Sequence, residues 1–256
     1  MKIKKILTIG TPLIAGLTAL TTISGACSKL DYRIKFDLNK EKNKQNLIPV
    51  KIADISDGDT VVAEILDDSF KQYIKHGKGS KVKVRIFGID TPEKAVSGTK
   101  SDTEENSWAE KASKFCAKTL KVGETYLLFY HGEDTYDRLV GDIFYKEKPT
   151  DEKYLSYAVE ITRAGWTLPH VSDTDIKLIN VKYTLPYYTL LQIAYAMEEA
   201  SHNRVGAFKK FKYPERFAKI YKLKPNSAYT SFIRKKKFKH DTTVFDYEKK
   251  AYPNLL

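Results

Sequence analysis

Cysteine is nearly absent from this 256-residue chain: Cys27 and Cys116 are its only two. Two thiols cannot make a disulfide-framework protein. Glycine and proline are sparse, at 13 and 9 residues, which excludes a collagen-like or low-complexity chain. No internal repeat is present. The five histidines (His76, His131, His170, His202 and His240) show no pair at metal-ligand spacing, so packing or surface roles are the reading for all five. Arginine is scarce too, with 7 Arg beside 37 Lys. What is there suffices for a core: 42% hydrophobic and 12% aromatic residues exclude a wholly disordered chain. The length suits one or two domains. A net charge of +12 favours an anionic partner such as nucleic acid, anionic lipid or an acidic protein. A merely Lys-rich proteome is the bland alternative.

The first thirty residues have their own pattern. Lys2, Lys4 and Lys5 precede an uncharged stretch from Ile6 to Ser28 that ends in Ser24-Gly25-Ala26-Cys27. Basic, then apolar, then small is the order of a secretory signal. With the cysteine directly after the small residues, it resembles a bacterial lipoprotein signal. The resemblance implies cleavage before Cys27 and a diacylglycerol on its thiol. An uncleaved anchor helix is the alternative, weakened by Pro12 and the many threonines. Either reading puts the remainder outside the cytoplasm, held on the extracellular face of a membrane. The polar stretch 27–46 reads as a tether with room for an entry strand. Cys116, beside Phe115 on an apparent helix, reads as a small buried hydrophobe.

Downstream, residues 47–66 hold two aliphatic runs joined by Ser56-Asp57-Gly58-Asp59, a hairpin signal. In 81–89, Val82, Val84 and Ile86 alternate with Lys81, Lys83 and Arg85, the pattern of a half-buried strand. Residues 107–121 read as a helix capped by Ser107 with Glu110 three residues on, stopping at Gly123. Residues 125–131 and 138–145 read as two more strands. Helices are expected over 153–165 and 187–205. Five short strands with an inserted helix and no βαβ alternation predict an α+β protein: a five-stranded OB-fold-like barrel with three helices, closed to remove its edges.

Three clusters carry chemistry: Asp57-Gly58-Asp59-Thr60, then Arg85-Ile86-Phe87-Gly88-Ile89-Asp90-Thr91-Pro92-Glu93, then Asp134-Thr135-Tyr136-Asp137-Arg138. Pro92 holds Thr91 extended, so Asp90 and Glu93 emerge at the end of a strand. Carboxylates and a Thr carbonyl make an all-oxygen site suited to a hard cation such as Ca²⁺. Arg85 and Arg138 add forked donors that match phosphate oxygens. Carboxylates, a divalent cation and two arginines are what phosphodiester cleavage needs. Each cluster alone has a structural reading: a turn, a solvated arginine, a helix cap. Their combination and order carry the inference.

Together these clusters resemble the thermonuclease (staphylococcal nuclease-like) family, from about residue 48 to about residue 206. The helix Trp108-x-Glu110-x-Ala112-x-x-Phe115 and the helix end Glu160-x-x-Arg163-x-Gly165 belong to the same likeness. The resemblance implies an OB-fold barrel and Ca²⁺-dependent hydrolysis of DNA and RNA. It puts Glu93 in the place of the general base, and Arg85 and Arg138 on the scissile phosphate. It implies Asp59, Asp90 and the Thr91 carbonyl as Ca²⁺ ligands, with Asp57 orienting the metal's waters and Tyr136 against a bound nucleotide. Asp137 departs from the family's usual glycine. If the site needs positive φ, Asp is among the residues that tolerate it, but its carboxylate could hold Arg138 away from phosphate. The loop 94–106 is expected to be a mobile gate or a surface insertion. Residues 166–170 match the family poorly.

The organisation expected is a signal over 1–26, a tether over 27–46, the barrel domain over 47–206 and a basic, aromatic extension over 207–256. Residues 207–240 hold twelve Lys or Arg and one acid, Glu215, whereas 27–206 is close to neutral. Aromatics interleave with the lysines, as in single-strand binders. Plain packing of those rings is the equal alternative, and contact with anionic headgroups a third. The reading is a membrane-anchored extracellular nuclease using Ca²⁺, with DNA and RNA as substrates and no protein partner inferred. Its rival is a nucleic-acid-binding or adhesion lipoprotein on an idle barrel.

Overall fold

Strict alternation along three early segments builds the barrel wall. A computed structural model describes residues 30–70, 72–234 and 242–248; Cys27 and the rest of the signal lie outside them. After a short helix α1 (Glu41–Asn46), strand β1 (Leu47–Ile55) turns into β2 (Thr60–Ile65) and on to β3 (Lys81–Ile86). Ile48, Val50, Ile52, Val61, Ala63, Ile65, Val82, Val84 and Ile86 all point into the core, while Lys81 and Lys83 face solvent. One residue per two is what a sheet with one buried face demands.

The chain then makes β4 (Ile89–Asp90), a small hairpin of β5 (Ala95–Val96) and β6 (Thr99–Lys100), and helix α2 (Thr103–Thr119). Strands β7 (Thr125–Glu133), β8 (Leu139–Tyr145) and β9 (Leu155–Ser156) follow, then α3 (Tyr157–Arg163), β10 (Leu168–Pro169), α4 (Asp173–Lys177), α5 (Leu185–His202), α6 (Phe208–Phe211) and α7 (Pro214–Phe217). The main sheet runs β3-β2-β1-β7-β8-β9, and β3 also pairs in parallel with β8. That seam is three residue pairs long: Val84 with Leu139, Arg85 with Val140 and Ile86 with Gly141. The OB-fold-like α+β architecture is therefore present, with a partly open barrel joined along a short seam rather than fully closed.

Helices α2 and α5 fall near where expected, α2 starting a turn early, whereas α3 is shorter than the expected 153–165: Leu155–Ser156 is strand β9, and Ser156 caps the helix by accepting the Val159 amide. Asp102, not Ser107, caps α2, accepting the Glu105 amide at 2.8 Å. Asp102 also puts Glu104 and Glu105 in the first turn, where carboxylates meet the positive end of the helix dipole. Trp108, Ala112 and Cys116, four residues apart, bury the inner face. Burial pushes the Cys116 thiol up to about 12, so it is inert at neutral pH. None of the described helices is long and apolar enough to cross a membrane.

The described residues from Tyr32 onward form one compact unit. Part of the expected tether is docked: Tyr32, Ile34 and Phe36 are buried, and Ile34 bridges to Tyr154 through two backbone hydrogen bonds. The described part of the extension packs as well. Phe208, Phe217 and Phe232 are fully buried, Tyr221 and Tyr229 nearly so. Phe217 sits against Trp108, Phe208, Phe211 and Tyr221 at centroid distances of 5.6–6.5 Å. These rings supply core, about 1.5–3 kcal/mol per fully buried side chain, so they cannot stack on bases. Among the extension's described aromatics Tyr213 stays half exposed, and Phe238 lies outside the described residues.

Candidate active site

The β1–β2 turn sets Asp59. Its amide donates to Asp57 Oδ1 at 3.0 Å, a side-chain turn that needs Asp at the first position. Gly58 between them touches the domain interior: a Cβ there would lie 2.7 Å from Ala112 Cβ and 2.8 Å from Thr91 Cγ2. The buried Tyr157 hydroxyl donates to the Gly58 carbonyl at 2.7 Å. So pinned, Asp59 Oδ2 accepts the Thr91 amide at 2.7 Å and the Thr91 hydroxyl at 3.0 Å. Oδ1 accepts the Thr60 hydroxyl and pairs with Arg85.

Asp90 is brought back to Arg85 by the turn at Gly88, whose φ of +85° suits glycine. Arg85 thereby bridges two carboxylates. Its Nη1 pairs with Asp59 and its Nη2 with Asp90 Oδ1 at 2.6 Å. A second cation reaches the same oxygen: Lys224 Nζ lies 3.1 Å from Asp90 Oδ1. The Asp90 carbonyl accepts the Thr167 hydroxyl at 2.7 Å and the Tyr221 hydroxyl at 2.8 Å. Asp90 Oδ2 is buried with no hydrogen-bond partner. An orphaned carboxylate oxygen of this kind is costly.

The short seam places the second arginine, because Arg138 immediately precedes the Leu139 that pairs with Val84. Asp134 orders the preceding turn, accepting the amides of Tyr136 and Arg138, and its Oδ2 holds Arg138 Nε at 2.7 Å. Asp137 has φ +56°, the left-handed conformation the family's glycine would take. Its side chain is 88% exposed and turned to Lys75 at 3.7 Å. Asp134, therefore, and not Asp137 is the carboxylate that restrains Arg138. The guanidinium lies 5.4 Å from the Tyr136 ring, and that ring is 78% exposed.

All of this faces one cleft of about 350 Å³, lined by Asp57, Asp59, Arg85, Glu93, Tyr136 and Arg138 together with Lys83, Lys224 and the 95–97 loop tip. The three expected catalytic residues, Arg85, Glu93 and Arg138, thus share one cleft. Asp90 and Thr91 lie beneath it, almost wholly buried. Burial raises the Glu93 carboxyl above its ordinary value, and the charges of Asp90 and Asp57 add to this. Burial raises Asp57 too, against the pull of Arg85 and Lys94. A carboxylate so raised is a better proton acceptor near neutrality. Among the described residues no group of three or more His, Cys, Asp or Glu side chains stands ready to hold a metal. The chemistry of Asp59, Asp90 and the Thr91 carbonyl still fits a hard cation, and the orphaned Asp90 Oδ2 offers it a ligand. Arg85 and Lys224 neutralise the same carboxylates in this structure.

Several supports were invisible in the sequence. Thr167 and Tyr221 hold the Asp90 carbonyl. Glu105, fully buried, accepts the Glu93 amide on one oxygen and the amides of Lys222 and Leu223 on the other. No local pattern marks a buried glutamate that serves three distant amides. Charge density marked the extension, but nothing in it singled out Lys224.

Residues 83–165 match the family model described as staphylococcal nuclease homologue, a segment that holds Arg85, Asp90, Thr91, Glu93 and Arg138. Asp57 and Asp59 precede it and Lys224 follows it. An uncharacterized lipoprotein of Mycoplasma pneumoniae is 38% identical over 103 residues, 40% of this chain. This chain covers only about a third of that protein, 34%. An uncharacterized lipoprotein of Mycoplasma genitalium is 27% identical over 193 residues, 74% of this chain and 72% of that protein. The family match points to nuclease-type function.

Proposed function

We propose that this chain is a membrane-anchored nuclease that hydrolyses phosphodiester bonds of DNA and RNA with the help of Ca²⁺. The observation that carries this is the gathering of Arg85, Glu93 and Arg138 on one cleft that Asp59 also lines, with buried Asp90 paired to Arg85. Asp59, Asp90 and the Thr91 carbonyl would hold the cation, which supplies Lewis-acid stabilisation of phosphate charge. Glu93 takes a proton from water as the water oxygen bonds to phosphorus. Arg85 and Arg138, released from Asp59, Asp90 and Asp134, hold the non-bridging oxygens as their charge grows. The P–O bond to the leaving oxygen then breaks with its electron pair on that oxygen, which takes up a proton from solvent while Glu93 gives its own back to solvent. Exposed Tyr136 offers a face to a base or sugar. Lipoprotein relatives and the signal-like start support anchoring through Cys27 on the extracellular face.

The test is digestion of DNA and RNA by purified, detergent-solubilised protein in Ca²⁺ and in EGTA. Activity in Ca²⁺, its loss in EGTA, and a fall of about 10²-fold or more in Glu93→Ala are expected. Unchanged cleavage by Glu93→Ala sinks the mechanism, and equal cleavage in EGTA sinks the cation requirement. One observation favours the rival reading of an idle, nucleic-acid-binding lipoprotein: both arginines are paired with carboxylates. Tight capture of DNA without cleavage by any divalent cation would decide for that reading.

A further inference from the structure

We infer that Lys224 is a substrate-binding residue, a phosphate-contacting cation that the C-terminal extension delivers into the cleft of the barrel. The inference rests on the nucleic-acid reading of the site and lies outside the segment 83–165 that carries the family match. The strap 221–226 runs along the rim and is fixed at several points. Tyr221, buried, donates its hydroxyl to the Asp90 carbonyl, and Glu105 accepts the amides of Lys222 and Leu223. Asn226 donates to the Pro169 carbonyl at 3.2 Å. The backbone at Lys224 is thereby anchored on both sides, to Asp90 and Glu105 before it and to Pro169 after it.

Its side chain is not fixed in the same way. The Lys224 side chain is 45% exposed and lines the cleft beside Arg85 and Glu93. Its ammonium shares a single oxygen, Asp90 Oδ1, with the shorter Arg85 contact. That oxygen is shared between two cations, and the ammonium holds it at the longer distance, 3.1 Å against 2.6 Å. A compact charge on a flexible four-carbon stem turns readily to a stronger anion. A phosphodiester entering the cleft is such an anion, and it would draw Lys224 off Asp90 without moving the strap. Lys222 and Lys210 differ, being engaged outside the cleft with Asp102 and Glu104.

The test compares wild type, Lys224→Ala, Lys224→Arg and, as a matched loss of charge, Lys219→Ala. Lys219 is an exposed lysine of the extension that does not line the cleft. The probe is a fluorescein-labelled ten-nucleotide oligothymidylate, titrated over a range of salt in EDTA and, on a Glu93→Ala background that stops cleavage, in Ca²⁺, followed by turnover in Ca²⁺ of the proteins that keep Glu93. Lys224→Ala is expected to weaken binding three- to tenfold, roughly, and to lower the salt slope by about 0.7. KM should rise by a similar factor with kcat within about threefold of wild type, while Lys224→Arg and Lys219→Ala stay within about twofold throughout. Equal affinity and equal slope in Lys224→Ala overturn the inference. So does tighter binding, which would make the lysine a plug on Asp90. Binding without cleavage by wild type overturns the hydrolytic reading and leaves Lys224 to be decided by the affinities. Absence of binding in both EDTA and Ca²⁺ overturns both.

Discussion

Replacing Glu105 by alanine should loosen the site and the strap together. The carboxylate is fully buried and serves three backbone amides: Glu93 at 3.3 Å, Lys222 at 3.1 Å and Leu223 at 3.2 Å. A buried donor left unmade costs about 1–3 kcal/mol, which sets a ceiling of about 9 kcal/mol for three. Two terms reduce it. Removing the carboxylate also removes its own desolvation, and the strap can swing outward so that its amides find water. A loss of about 2–4 kcal/mol follows, which at about 2–4 °C per kcal/mol for a unit of this size lowers Tm by roughly 4–16 °C. Urea denaturation followed by circular dichroism measures the loss. Hydrogen exchange at residues 221–226 tells local opening from global unfolding, since a swung-out strap exchanges fast while β1 and β7 stay protected. Glu105→Gln keeps one carbonyl oxygen and turns an NH₂ toward the other amides, so its loss should be smaller. A Glu105→Ala protein within about 0.5 kcal/mol of wild type, with Lys222 and Leu223 still protected, would refute the clamp.

Three further outcomes are expected. Asp137→Gly relieves a left-handed aspartate, φ +56°, whose exposed carboxylate makes a 3.7 Å surface pair with Lys75; stability should change by less than about 1 kcal/mol and cleavage not at all. Burial pushes the fully buried Asp142 carboxyl up to about 7. Between the ordinary Asp value of about 3.9 and this raised one the folded state keeps a proton the unfolded chain has lost, so stability falls as pH rises through that window and levels off above it. Asp142→Asn should flatten that fall, read as a urea midpoint that shifts less between pH 5 and pH 8 than wild type's; an identical shift would count against it. In metal-free protein a carbon-13 titration should find the Glu93 carboxyl above the ordinary glutamate value of about 4.3, because burial and the charges of Asp90 and Asp57 resist its ionisation. A value at or below that would remove the case for Glu93 as a tuned base.

How much was legible in the sequence follows from the range of the forces involved. Alternation in Lys81–Ile86 and the Asp57–Asp59 turn are local, and both appear in the structure as read. The three motif clusters were legible as one site because strand ends and a short seam carry them together. The start of α2 was misread because two capping signals compete there. Ser107 has a glutamate three residues on, but Asp102 caps a helix whose first turn already holds Glu104 and Glu105. The extension was the hardest part. Twelve basic residues interleaved with aromatics describe a stacking surface and a packed strap equally well. Only tertiary contacts, such as Phe217 against Trp108, decide that the rings are core.

The pairing of Arg85 and Lys224 with Asp59 and Asp90 bears on the order of events in the cleft. Two carboxylates against two cations make a locally neutral cluster. A divalent cation arriving alone at Asp59 and Asp90 would have to displace Arg85 and Lys224 from those carboxylates and leave both cations without a partner, which offsets part of its attraction to the site. Phosphate arriving alone would leave the two carboxylates unneutralised as Arg85 and Lys224 turned to it. Arriving together, cation and phosphate exchange partners with the resident pairs: the cation takes the carboxylates, and the arginine and lysine take the phosphate. On this arrangement each ligand strengthens the binding of the other by the same factor, as linkage requires. In the mechanism proposed above, the cluster would keep Arg85 beside the phosphate position before substrate comes and tie its release to the arrival of the proposed cation.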